Sequence, residues 1–212
     1  MTETHKLTME DSTVPSTIAL RPDFAAIAEW INPGAKVLDL GCGDGSLLRY
    51  LRDTRQVFGY GVEIDDAKLL SCFRNGINVI QYDLEAGLSS FESNSFDYVI
   101  LSQTLQAMRH TEGIIQEMLR VGKEGIVSFP NFGYWRNRLQ VISGRMPMSK
   151  TLPYHWYDTP NIHLCTLGDF EALCHQCGAH ILERRVMSND HPVKFLPNLM
   201  GMLAFYRFER RE

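Results

Sequence analysis

At 212 residues, with 44 % hydrophobic and 22 % charged side chains, the chain is long enough for a substantial core and has the make-up of a soluble globular protein. Its formal charge of −4 argues against a nucleic-acid surface, and no apolar run approaches the ~18 residues of a membrane span. Five cysteines, an odd count, fit a reducing compartment and a cytoplasmic location.

Residues 1–19 are polar, with Glu3, Glu10 and Asp11 among them, and read as a flexible N-terminal arm rather than a signal peptide. Residues 20–212 then read as a single domain. Phe24, Ile27, Ala28 and Ile31 fall at helical spacing after Arg21-Pro22, and Pro33-Gly34 stops that helix. An apolar strand over 37–40 breaks into Gly41-Cys42-Gly43-Asp44-Gly45, and residues 46–51 continue as a helix. The next strand, over 56–63, ends at Glu63; Asp65-Asp66 caps a helix with Ala67, Leu70 and Phe73 on its apolar face, and Asn75-Gly76 ends it. Strands follow over 79–82, ending at Asp83-Leu84, and over 96–101, with a helix marked by Ile114, Ile115, Met118 and Leu119, then a strand over 125–129. Thr166 and Asp169 open a helix with a capping-box pattern, and Gly178 closes it. Residues 180–186 and 202–208 form a closing antiparallel hairpin, with Asn189-Asp190 and Pro192 in the loop between. The expectation is a Rossmann-like α/β fold: a mostly parallel seven-stranded sheet with helices on both faces.

The glycine turn carries the chemistry. Its glycines allow positive φ and close approach of a ligand to the backbone. A dinucleotide fingerprint places glycine at the first, third and sixth positions, but counting from Gly41 the sixth is Ser46. Asp39 sets a carboxylate just before the turn, where it repels a pyrophosphate and suits an amino or sulfonium group. Glu63 stands about twenty residues past the glycines, where a βαβ unit places an acid to accept from ribose hydroxyls. This pattern resembles the first motif of class I S-adenosylmethionine-dependent methyltransferases. The resemblance implies S-adenosylmethionine or S-adenosylhomocysteine as the ligand, with adenine contacts at Asp83 and its neighbour Leu84. The candidate cofactor residues are Asp39, Gly41, Cys42, Gly43, Gly45, Glu63, Ile64, Asp83 and Leu84.

An aromatic-rich segment over about 130–165 departs from the pattern, since a short loop is expected there. Phe132, Tyr134, Trp135, Tyr154, Trp156 and Tyr157 make it a candidate lid, substrate wall or docking surface on the rim where α/β folds bind ligands. Exposure of Trp135 or Trp156 argues for an interaction face, and inward orientation for a substrate pocket. The runs Leu-Asp-Leu-Gly-Cys-Gly-Asp-Gly, Ser-Phe-Pro-Asn-Phe-Gly-Tyr-Trp and Tyr-Asp-Thr-Pro-Asn-Ile-His-Leu-Cys-Thr together resemble the methionine biosynthesis protein MetW family over residues 20–207. That family implies a methyltransferase-like subunit that associates with and activates the homoserine O-acyltransferase MetX. The alternative is a methyltransferase acting on a small-molecule acceptor, with Tyr134, Tyr154 or His155 as a base; the sequence selects none of them, and no catalytic residue is assigned. His110 reads as a surface or capping residue. Cys174 and Cys177 share a helical face with Phe170 and Leu173 and read as core packing, so no metal is expected despite His163, Cys165 and His175 nearby.

Overall fold

The computed structural model describes residues 22–211, and the arm expected over 1–19 lies outside them. The elements are α1 (Pro22–Ala28), β1 (Lys36–Leu40), α2 (Ser46–Arg55), β2 (Phe58–Glu63), α3 (Asp66–Arg74), β3 (Asn78–Gln81), β4 (Phe96–Ser102), α4 (Thr111–Val121), β5 (Gly122–Pro130), α5 (Trp135–Ile142), α6 (Leu167–Gln176), β6 (Ala179–Ser188), β7 (His191–Pro192), α7 (Pro197–Met200) and β8 (Leu203–Arg210). The strand order is β3-β2-β1-β4-β5-β8-β6-β7. β1 to β5 are parallel, and β8 turns antiparallel against β5 and β6.

Four of the five β1 residues are buried, because both faces of the sheet are covered. On one face Leu38, Leu40, Val99 and Leu101 pack with Ile115 and Met118 of α4 and with Phe170 and Cys174 of α6. On the other, Val37, Ile100 and Ile126 pack with Ile27 of α1 and with Leu47, Leu48 and Leu51 of α2. The chain leaves β1 toward β2 on one side and returns to β4 on the other, so the turn after β1 sits at the crevice where strand order reverses.

Three expectations need correction. The sheet has eight strands among the described residues, where seven were expected. Asn189 (φ 45°) and Asp190 (φ 68°) form a tight hairpin turn, so His191 and Pro192 pair back onto Ser188 and Met187. Proline is tolerated there because β7 is an edge strand. The same connection also holds the single turn α7, begun by Pro197 in the first helical position. Finally, α3 buries Leu69 and Cys72, whereas Leu70 and Phe73 are 57 % and 63 % exposed and Ala67 faces water. Its inward direction follows from packing over Gly45 and Ile77 at the sheet edge, not from where most of its apolar residues lie.

Candidate functional site

The turn after β1 is shaped by three left-handed glycines, with φ of 70° at Gly41, 60° at Gly43 and 76° at Gly45. The N–H groups of Gly41 and Cys42 both donate to the Val62 carbonyl, at 2.8 and 3.0 Å, which ties the turn to β2. A Cβ on Gly41 would meet the Thr104 side chain at 2.9 Å, and one on Gly45 would meet Ile77 at 3.0 Å. A Cβ on Gly43 would meet nothing within 4 Å, so this glycine alone among the three faces open space.

Glu63, at the end of β2, is buried, and its carboxylate holds the turn in place. Its Oε2 accepts from the Gly43 N–H at 2.9 Å; its Oε1 accepts from the N–H groups of Ile64 at 2.8 Å and Asp65 at 3.0 Å. An ionised carboxylate has about four acceptor positions, so one further donor fits. Lys68 brings its Nζ to 4.0 Å from Oε2. Asp39 is 2 % exposed, and no donor among the described residues reaches its carboxylate. Burial, with the Glu63 charge adding to it, pushes the Asp39 carboxyl up to about 8. A buried acid without a donor, beside a glycine opening onto free space, suits a ligand that brings positive charge or N–H groups. The residues present therefore fit a ligand of the sulfonium and amino type.

The remaining predicted residues flank this centre. Ile64 is exposed just past Glu63. Asp83 follows β3, with its Oδ1 accepting from the Glu85 N–H at 2.9 Å, and Leu84 is half-buried beside it. The structure thus gathers all nine candidates at the carboxyl ends of β1, β2 and β3. Cys42 lies inside the turn with its Sγ 3.8 Å from that of Cys72, and burial pushes both thiols up. His110 occupies the N-cap position of α4 without a side-chain cap; its Nδ1 instead lies 2.8 Å from Glu85. The backbone N–H of Arg109, donating to the same carboxylate, is the largest influence holding Glu85 below the usual carboxylate range. Cys174 is buried against Phe170, as the helical spacing indicates, and Cys177 packs at the margin of that cluster.

The aromatic segment divides. Tyr134 is buried, Phe132 is half-buried with its N–H on the Cys165 carbonyl, and half-buried Trp135 packs against Tyr134. By contrast Tyr154, Trp156 and Tyr157 face water, Trp156 being 72 % exposed, and His155 stacks on Tyr157 at 5.2 Å. The hollow beneath them measures about 40 Å³, room for a water but no substrate. Two residues that the sequence reading passed over hold the root of this segment. Asn131 donates through Nδ2 to the carbonyls of Asn198 and Gly201, at 3.0 and 2.9 Å, and accepts from the Gly133 N–H at 2.9 Å. Asn137 donates to the carbonyls of Asn131 and Phe132, each at 3.3 Å. The carbonyl partners of Asn131 lie 67 and 70 residues away, so no local spacing signals it.

This architecture is that of the class I methyltransferase fold. An S-adenosylmethionine-dependent methyltransferase from Mesorhizobium loti superposes with a TM-score of 0.66 at 16 % identity, over 90 % of this chain and 99 % of that one. A putative S-adenosylmethionine-dependent methyltransferase from Listeria monocytogenes does so with a TM-score of 0.67 at 14 % identity, over 90 % and 99 %. At such identities the likeness shows the fold alone. Within that class the chain belongs to the MetW family: residues 21–208 match the family described as methionine biosynthesis protein MetW. A bifunctional methionine biosynthesis protein MetXA/MetW of Rhodopirellula baltica is 38 % identical over 226 residues, which is 99 % of this chain and 35 % of that protein. A sterol 24-C-methyltransferase of Schizosaccharomyces pombe is 28 % identical over 115 residues, 51 % of this chain and 30 % of that one. The chain therefore spans about a third of the length of these curated relatives. Among the described residues no helix is long and apolar enough to cross a membrane.

Proposed function

We propose that this chain is an accessory subunit of methionine biosynthesis that binds S-adenosylmethionine or S-adenosylhomocysteine, associates with a homoserine O-acyltransferase (MetX) in the cytoplasm, and raises its activity. The observation that carries this reading is the Rhodopirellula baltica relative, whose name joins MetXA and MetW in one protein. Fusion keeps two units at high effective concentration, which suits two units that work in contact. The outward aromatic set of Tyr154, Trp156 and Tyr157 supports the same reading, since exposed aromatics are common anchors of protein interfaces.

For the ligand, Asp39 would meet the positive amino or sulfonium group, and the turn from Gly41 to Gly45 would bring its backbone close to it. Glu63 has acceptor capacity left for one ribose hydroxyl; Ile64 and Leu84 would supply apolar sides, and Asp83 would accept from the exocyclic amine of adenine. S-adenosylmethionine, when bound, would supply a methyl group activated by its sulfonium; S-adenosylhomocysteine carries none. A second reading, methyl transfer to a small acceptor, is favoured by one feature: an apolar hollow of about 220 Å³ at the ends of β4 and β5, lined by Leu105, Phe129, Pro130, His163, Phe170 and Leu173.

The test is homoserine acylation by the acyltransferase of the same organism, measured with and without the full chain, together with gel filtration of the mixture. A several-fold rise with co-elution supports the accessory role. No rise and separate elution overturns it and leaves methyl transfer as the reading to pursue.

A further inference from the structure

The two edges of the sheet are finished differently. At one, β7 covers the end of β6, and the remainder of β6 carries a bulge between Ile181 and Glu183 and the charged run Glu183, Arg184 and Arg185. Bulges and charges of this kind keep a strand edge from pairing with another chain. At the other stands β3, Asn-Val-Ile-Gln, with no charge, proline or bulge, and with Ile80 exposed. Beside it α3 turns Leu70 and Phe73 outward. Ile80 lies on the α4 side of the sheet, in register with Val62, while Leu70 and Phe73 lie on α3 across it, so large apolar side chains flank both faces of this one edge and mark a contact surface.

The charges on this edge indicate what covers it. α3 runs antiparallel to β3: Gln81 at the strand's end donates to Asp66 at the helix's start at 2.7 Å, and residues 75–77 join the helix end to the strand start. The edge thus carries Asp66 at one end and Arg74 at the other. Arg74 makes no ion pair among the described residues. A two-fold axis beside Ile80, between the two copies and perpendicular to the sheet, exchanges these ends. It sets Arg74 of each chain opposite Asp66 of the other, and the positive end of each helix dipole opposite a negative one. It also keeps Ile80 on one face in both copies, so Ile80 meets its own counterpart.

We propose that this edge is a self-association surface: β3 pairs antiparallel with β3 of a second copy, and Leu70, Phe73 and Ile80 are buried between the two. The self-complementary charge pattern selects a second copy over an unrelated partner.

Sedimentation equilibrium of the full chain tests this. The expected result is a dimer, twice the 24.2 kDa chain mass, at micromolar concentration. Ile80→Lys should raise the dimer dissociation constant at least tenfold while leaving the melting temperature of the monomer, read at concentrations well below that constant, unchanged. Arg74→Glu should weaken the dimer, and adding Asp66→Arg should restore it, because the exchanged charges meet again across the axis. Restoration is a result that a merely damaged fold does not produce. A monomer at every concentration, or a dimer indifferent to Ile80→Lys and Arg74→Glu, overturns the proposal. Loss of acyltransferase binding on Ile80→Lys with self-association unchanged assigns the edge to that enzyme and overturns it equally. The acylation assay reads the accessory role separately, so the two proposals fail independently.

Discussion

The glycine turn and the aromatic segment leave the same side of the sheet, at the carboxyl ends of β1 and β5, yet they are held in opposite ways. The turn is secured by its own backbone and by one carboxylate on the adjacent strand, Glu63, twenty residues on from Gly43. The aromatic segment is rooted by side-chain amides whose partners lie as far away as Gly201. A motif closed by neighbouring strands is written compactly and tolerates little change. A segment pinned at its root leaves its tip free to vary, and the exposed residues Trp156 and Tyr157 sit at that tip.

The sharpest way to break this contrast is Asp39→Asn. Loss of the one buried carboxylate without a donor among the described residues should weaken S-adenosylmethionine binding on the order of 100-fold by calorimetry. Stability should move the other way. The Asp39 carboxyl stands at about 8 in the folded chain, against an ordinary ~3.9 when unfolded. Its contribution is thus fully present below about pH 4 and lost as pH rises toward 8. Asparagine escapes that loss, so the variant should melt a few degrees higher than the parent at pH 8, and by a smaller margin at pH 5. A lower melting point at pH 8, or unchanged binding, contradicts the role given to Asp39.

Next in size is the root of the aromatic segment. Asn131→Ala leaves the buried Gly201 carbonyl, the half-buried Asn198 carbonyl and the Gly133 N–H without these partners and should cost about 2–3 kcal/mol in urea unfolding. It should reduce activation of the acyltransferase while leaving cofactor affinity within about twofold. Coupled loss of both would show that the two regions are not independent. Between the glycines, Gly41→Ala should destabilise more than Gly43→Ala, because only the former strikes Thr104. Both pay about 1 kcal/mol for a left-handed φ. Adding Thr104→Ala should recover part of the first loss and none of the second. The smallest effect on stability belongs to Trp156→Ala, within about 0.5 kcal/mol by denaturant midpoint. That same change should weaken acyltransferase binding by about tenfold if the tip is an anchor; full binding removes Trp156 from the interface.

How much of this was legible follows from the same contrast. The central strands β1 and β4 announce themselves because both faces are buried, so their residues are mostly apolar and end at recognisable turns. The glycine turn and Glu63 were readable because their spacing is set by one βαβ unit. The outward turn of Leu70 and Phe73 was not, since periodicity reports a helix's apolar stripe and not which way the sheet edge lets it face. β7 escaped because two residues are too few to show alternation, although Asn189-Asp190 marked its turn. Asn131 and Asn137 escaped because an amide buried for its hydrogen bonds looks in sequence like any loop asparagine.

The grip of Glu63 on the Gly43 N–H has a kinetic consequence. A loop already fastened in its binding shape gives a ligand little to organise, so association proceeds without a slow rearrangement. In hydrogen exchange the Gly43, Ile64 and Asp65 amides should already be protected in the free chain, and saturating ligand should slow them only slightly. On the proposed reading the turn is a rigid seat, ready before its occupant arrives.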